Sequence, residues 1–226
     1  MHPNRICDNG NDEITNAHKE RGVSLLASVK IVVNVLFALL IFQIFLILPR
    51  PDDPELEYHS LVEIFSENLD KLLLIAVGMV LVILYWLQTN LQLGNLTRSN
   101  AFHAVLMISQ TFFLMIYLYF VRFDMEYEGM KLALQMESAF LALAGFVGAF
   151  AWRYARKNGL TSNQISDNQE MDIFYKLLPE PLASAFTFPF AAFGPIIWTL
   201  AFLSIIPIGF LLKLVRKKYG ESHIPD

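Results

Sequence analysis

Lys30, Asn34, Gln110 and Glu137 are polar side chains set inside runs that are otherwise apolar, with Gln43, Ser109, Thr111 and Gln135 close by. A polar or charged group at membrane depth is costly, so such residues pair with one another, face a wet cavity or mark an ion path. Lys30 and Asn34 share the run SLLASVKIVVNVLFALLIFQIFLIL, residues 24–48. Together with Val23, Ala27, Ala38 and Ile41 they follow spacings of three and four, which places them on one stripe of a helix. That stripe faces either neighbouring helices or water.

Two accounts of Lys30 are open. Its ammonium lies about 9 Å from the inner end of the helix and can snorkel to the headgroups along its four-carbon stem. Alternatively it pairs with Glu137, or points into a pore. Counted from opposite ends of their helices, the two charges differ in depth by about 9 Å in a core of about 30 Å, so pairing requires adjacent helices.

Other chemistries lack their usual anchors. There is no GxGxxG, P-loop, GxSxG, HExxH or CxxC pattern, so no enzyme activity, cofactor or metal is expected. His103 is the one histidine inside an expected span, near its inner end, where an interfacial hydrogen bond is the ordinary role. The single cysteine, Cys7, lies in the polar N-terminal tail and forms no internal disulfide.

The elements that must position these groups are legible from composition. Of 226 residues, 55% are apolar and 13% aromatic, too oily for a soluble domain of this size. The apolar residues cluster in runs of roughly 20, the length that crosses a hydrocarbon core as a helix, and nothing alternates as a barrel strand does. An all-α polytopic membrane protein is expected, with tails at 1–22 and 217–226 and a membrane domain at 23–216. Four spans are plain, at 24–48, 72–93, 101–121 and 129–152. The run LLPEPLASAFTFPFAAFGPIIWTLAFLSIIPIGFLLK would reach about 55 Å as one helix, so it is divided at Gly194-Pro195 into spans at 177–193 and 194–213.

Positive charge selects six spans over five. With six spans and both termini cytoplasmic, most Lys and Arg fall on the inner side; with five, the bias disappears. The same topology puts Asp52, Asp53, Glu55, Glu57, Glu63, Glu67, Asp70, Asp124, Glu126 and Glu128 outside, either a solvated outer surface with no transport role or an acidic mouth that would concentrate cations. The inner loop at 153–176, with NGLTSNQISDNQE at its centre, reads as a flexible connector. Ala144 and Gly148, with Gly145 and Ala149 beside them, form small-xxx-small pairs that let helices approach closely, within this chain or between subunits. Pro189, Pro195 and Pro207 interrupt the last two spans, which either kink there or expose backbone carbonyls to ions as the broken helices of transporters do.

Arg21 leads into the first span, Tyr85-Trp86 in YWLQTNLQLGNLTRSN closes the second, and WRYARKNGL, residues 152–160, closes the fourth. With the six short spans, these features resemble the bacterial members of the transmembrane protein 175 family. In that family the arginine is followed, after three residues, by Phe-Ser-Asp; here those positions hold Leu25, Leu26 and Ala27. The resemblance implies a potassium channel assembled as a homotetramer, its first helix lining the pore with apolar constrictions. By position along the helix these fall on Ile31, Asn34, Ala38 and Ile41.

Four lysines around one axis would repel potassium, each like-charge contact at about 4 Å costing roughly 4 kcal/mol at an effective dielectric of about 20. In a cation pore, Lys30 must therefore face away from the axis or be neutral. The expected function is ion conduction, most simply of cations, through an oligomeric pore lined by the first helix; the alternative is a non-conducting scaffold or accessory subunit. Expected partners are the lipid bilayer, further copies of the chain and monovalent ions, with no nucleic acid. The expected location is the plasma (inner) membrane.

Overall fold

The computed structural model describes residues 6–46, 69–127 and 130–221. Helix α1 spans Ile6–Phe45, α2 Leu69–Gly94, α3 Ala101–Glu126 and α4 Lys131–Lys157. Shorter pieces follow: α5 Asp167–Lys176, α6 Pro179–Thr187, a 3-10 helix Phe188–Phe193, α7 Pro195–Ala201, a 3-10 turn Phe202–Ser204 and α8 Ile205–Glu221. Among the described residues, five stretches are helical, long and apolar enough to cross a membrane: Lys19–Phe45, Ile75–Gly94, Ala101–Glu126, Lys131–Lys157 and Pro195–Lys218. The chain is a helical, multi-pass membrane protein.

The long helices outrun their apolar cores. Hydropathy reads only the greasy part, whereas the backbone ladder continues wherever nothing breaks it; α3 carries on through Arg122–Glu126, and α1 is already helical at Ile6. Stops are local. Asn100 caps α3 by accepting from the His103 amide at 2.9 Å. After α4 the chain turns at Gly159, whose φ of +59° an L side chain rarely adopts. The expected break at Gly194-Pro195 is present, with Gly194 at φ +106° and Pro195 opening α7.

The α3–α4 hairpin is the centre of the bundle. On one flank α1 packs against α3 and α2; on the other, α6 and the following 3-10 helix lie along α4. Contacts along α4 trace the rise of that second flank. Trp152 Nε1 donates to the Glu170 carbonyl at 2.9 Å, Gly145 meets Pro181, Ser138 meets Thr187 at 2.9 Å, and Leu134 clusters with Ala191. The chain therefore climbs the full length of α4 between residues 167 and 193, then descends through α7 and α8.

This ascent corrects the expected span at 177–193. It is a composite of short helices that begins with the polar α5, and no single helix there is long enough to cross a membrane. Pro179, Pro181 and Pro189 punctuate it, since proline supplies no amide for the ladder. One end of the bundle gathers Gly22, the α2–α3 turn, the α4–α5 loop and α8. There the Ser99 amide donates to the Gly22 carbonyl at 2.9 Å, and Arg216 pairs with Asp172 at 2.6 Å. Gly22 of α1 and Arg216 of α8 both lie at this end.

The loop at 153–176 is ordered, contrary to the flexible connector its composition suggested. Thr161 bridges to Leu96, the Thr97 amide donates to the Leu160 carbonyl at 2.9 Å, and the Ser162 amide donates to the Asn95 carbonyl at 2.9 Å. Ser166 and Gln169 then form a reciprocal capping box that starts α5. Arg156 and Glu170, 2.8 Å apart, tie α5 back to α4.

Candidate functional site

The face that α1 buries is Leu26, Val29, Val33, Phe37, Leu40 and Ile44. The stripe singled out in the sequence lies beside it. Lys30 and Ile41 are half-buried at its edge, while Asn34 and Ala38 are exposed. Asn34 Oδ1 accepts from Trp86 Nε1 at 3.1 Å, fixing α1 to α2, and its amide NH2 has no partner among the described residues. Counting from Ser24, that amide stands about 15 Å along the helix, near the centre of a core of about 30 Å. Ile31, also on the outward side, is 66% exposed. Arg21 is exposed at the base of the same helix.

Lys30 forms no ion pair or hydrogen bond among the described residues, and α1 packs on α2 and α3 rather than on α4. The Lys30–Glu137 pair that the sequence left open is therefore not made.

Glu137 sits at the opposite extreme. It is 0% exposed, in the first half of α4, and neither carboxyl oxygen has a hydrogen-bond partner among the described residues. Asp124 and Tyr117 of α3 are within electrostatic reach of it. Asp124, expected on the outer surface, is buried instead, because α3 continues past Val121 and places Tyr117, Val121 and Asp124 on one inward face. Its neighbour Glu126 does face out, pairing with Arg122 at 3.2 Å. Asp52, Asp53, Glu55, Glu57, Glu63, Glu67 and Glu128 of the expected acidic mouth lie outside the described residues, and only the backbone of Asp70 is described.

Gln110 occupies the middle of the hairpin. Its amide group rests against Gly148, where an added Cβ would come within 2.7 Å of Nε2, and its Oε1 has no partner among the described residues. One turn along α4, a Cβ on Gly145 would meet Pro181 Cβ at 2.6 Å and Tyr85 Oη at 2.7 Å. The small-xxx-small stripe thus serves packing within this chain, against α2, α3 and α6. Tyr85 Oη donates to the Leu141 carbonyl at 3.0 Å, a bond possible only because no side chain intervenes at Gly145.

A second polar cluster joins the first half of α4 to the other flank. Trp198 Nε1 donates to Ser138 Oγ at 2.7 Å, Ser138 shares a hydrogen bond with Thr187 Oγ1 at 2.9 Å, and Thr187 Oγ1 donates to the Ser184 carbonyl at 2.8 Å. At the opposite end of the bundle, His103 Nδ1 shares a hydrogen bond with Ser99 Oγ at 3.0 Å. Among the described residues no group of three His, Cys, Asp or Glu side chains converges as a metal centre requires.

Pairwise burial such as Asp124 on Glu137, or Thr187 on Ser138, carried no signal in local spacing; only the inward phase of Tyr117 and Asp124 could have been read ahead. The arrangement offers two kinds of polar group: a set locked inside the hairpin, and an amide and an ammonium on the outer side of α1. Compared with protein-family models and with curated proteins, the chain matches none.

Proposed function

We propose that the chain is one subunit of an oligomeric ion channel, conducting cations of the potassium type through a pore lined by α1. One observation carries this reading: the Asn34 amide NH2 faces out of the subunit near mid-membrane with no partner among the described residues. In lipid such a group is left unsatisfied at a cost of several kcal/mol, whereas water in a pore, or another subunit, satisfies it. Ala38, one turn further out, is small enough to let subunits approach an axis, and Ile31 supplies an apolar ring on the other side of Asn34, while Ile41 sits half-buried at the edge with Lys30.

The position of Lys30 fits a cation path. Half-buried at the edge of the packed face, it leans on its own subunit while Asn34 and Ala38 stand further round the helix. Its ammonium then snorkels to the inner headgroups rather than ringing the axis. Both termini are assigned to the cytoplasm, of the plasma (inner) membrane, because the end of the bundle that holds Arg98, Arg156 and Arg216 is the basic one. A homotetramer follows from the family resemblance.

The test is reconstitution of the purified chain into liposomes with potassium, sodium, proton and chloride gradients, alongside its mass in detergent. Potassium flux from an oligomer is the expected result; a monomer without flux overturns the proposal. A second reading, a non-conducting scaffold or accessory subunit, draws on the broad exposed apolar face of Pro195–Lys218, with Ile196, Ile206 and Phe210 all more than 60% exposed. Co-purification with a fixed protein partner, with no flux, would favour it.

A further inference from the structure

The basic end of the bundle contains a cavity of about 450 Å³ where three segments meet: the first turns of the membrane part of α1, the α2–α3 turn and the loop after α4. Among the described residues its walls include Lys19, Arg98, Thr161, Ser162 and Asn163, with Val23 the one hydrophobic residue. No carboxylate among the described residues lines it.

The cavity is built rather than incidental. Each wall is fixed to the next by backbone: Ser99 to Gly22, Thr97 to Leu160, Ser162 to Asn95, and the bridge between Leu96 and Thr161. Arg98 is set by donating to the Gly159 carbonyl at 3.3 Å, and its Cβ lies 3.1 Å from the position a Cβ on Gly22 would take. Only one Nη of the guanidinium is used in that bond. Lys19 and Arg98 have no carboxylate partner among the described residues.

We propose that this cavity binds a phosphate monoester, with Arg98 and Lys19 holding its charge and the hydroxyl and amide donors of Thr161, Ser162 and Asn163 its remaining oxygens. A guanidinium fork matches phosphate oxygens two at a time, and the Lys19 ammonium in the same lining complements it as a point charge. The volume is that of an ordinary small-ligand pocket. Val23 marks the side on which α1 enters the membrane, so the same chemistry can arrive on a lipid headgroup or on a soluble phosphorylated molecule.

The experiment uses the full chain in neutral detergent and two probes. Native mass spectrometry compares retained phosphatidate with phosphatidylcholine; thermal shift reads protection by glycerol 3-phosphate. We expect phosphatidate to be held at least about tenfold more tightly than phosphatidylcholine, the loss of one charge-assisted contact being worth about that factor. Lys19→Gln with Arg98→Gln should abolish the preference. Lys19→Gln with Thr161→Glu should do the same while leaving the Arg98 bond to Gly159 intact, so it decides the matter if Arg98→Gln fails to fold. Binding of phosphatidate alone identifies a lipid ligand; protection by glycerol 3-phosphate as well identifies a soluble one. Equal retention of both lipids with no protection, or a preference unchanged in both variants, overturns the proposal.

Discussion

The interior of the α3–α4 hairpin and the outer side of α1 both carry polar groups at membrane depth, yet the chain treats them in opposite ways. In the hairpin, Gln110 is pressed on Gly148 and Tyr85 reaches the Leu141 carbonyl past Gly145, so the polar groups are enclosed by the subunit that supplies them. On α1, Asn34 accepts one bond from Trp86 and turns the rest of its amide outward. Enclosed polar groups specify how one chain packs, whereas an outward one requires something beyond the chain. Substitutions in the hairpin should therefore register as stability, and substitutions on the stripe as assembly and conduction.

The largest loss is expected at Gly145. A β-branched side chain there must displace the Pro181 ring, which cannot rotate away, and break the Tyr85 bond; Gly145→Val should cost about 3 kcal/mol or more and leave little folded protein in detergent. Gly148→Ala meets only the end of the Gln110 side chain, which can swing aside, so a loss of about 1 kcal/mol is expected from the same thermal unfolding measurement. Ser138→Ala leaves the Trp198 N–H without its acceptor and should cost about 1–3 kcal/mol, with Trp198→Phe in the same background adding little.

Glu137 sharpens the contrast from inside. Because neither oxygen is partnered among the described residues, Glu137→Met should leave the melting temperature unchanged or raise it, and should leave ion selectivity as it was. A marked loss of flux in that variant would move the ion path from α1 into the hairpin. Lys30→Leu is expected to have the smallest effect on stability, within about 0.5 kcal/mol as for a side chain outside the packed face, while raising cation over anion permeability in liposome flux.

The four long helices were legible because their apolar runs match the length of a bilayer core, and the last break because Gly194 and Pro195 adjoin. Their ends were less so: α3 holds Asp124 inside through a polar turn that hydropathy discards. The ascent from 167 to 193 was read as a connector plus one span, since the prolines of an apolar run do not say whether it kinks or is assembled from pieces. A signal for α5 was present in Ser166 and Gln169, three residues apart, and a composition reading passes over it. The stripe on α1 was visible as spacing, but whether it packed inward or stood open depended on which of two adjacent faces α3 covers.

The central claim, that the open side of α1 lines a conducting path between subunits, is tested most directly at Ala38. Ala38→Cys, made with Cys7→Ser so that it is the sole thiol, is reconstituted in liposomes and its potassium flux measured before and after a charged thiosulfonate reagent, with Val33→Cys on the buried face as the control. Labelling is expected to block flux through Ala38→Cys and to leave Val33→Cys conducting. Flux that persists after complete labelling of Ala38→Cys contradicts a pore lined by α1.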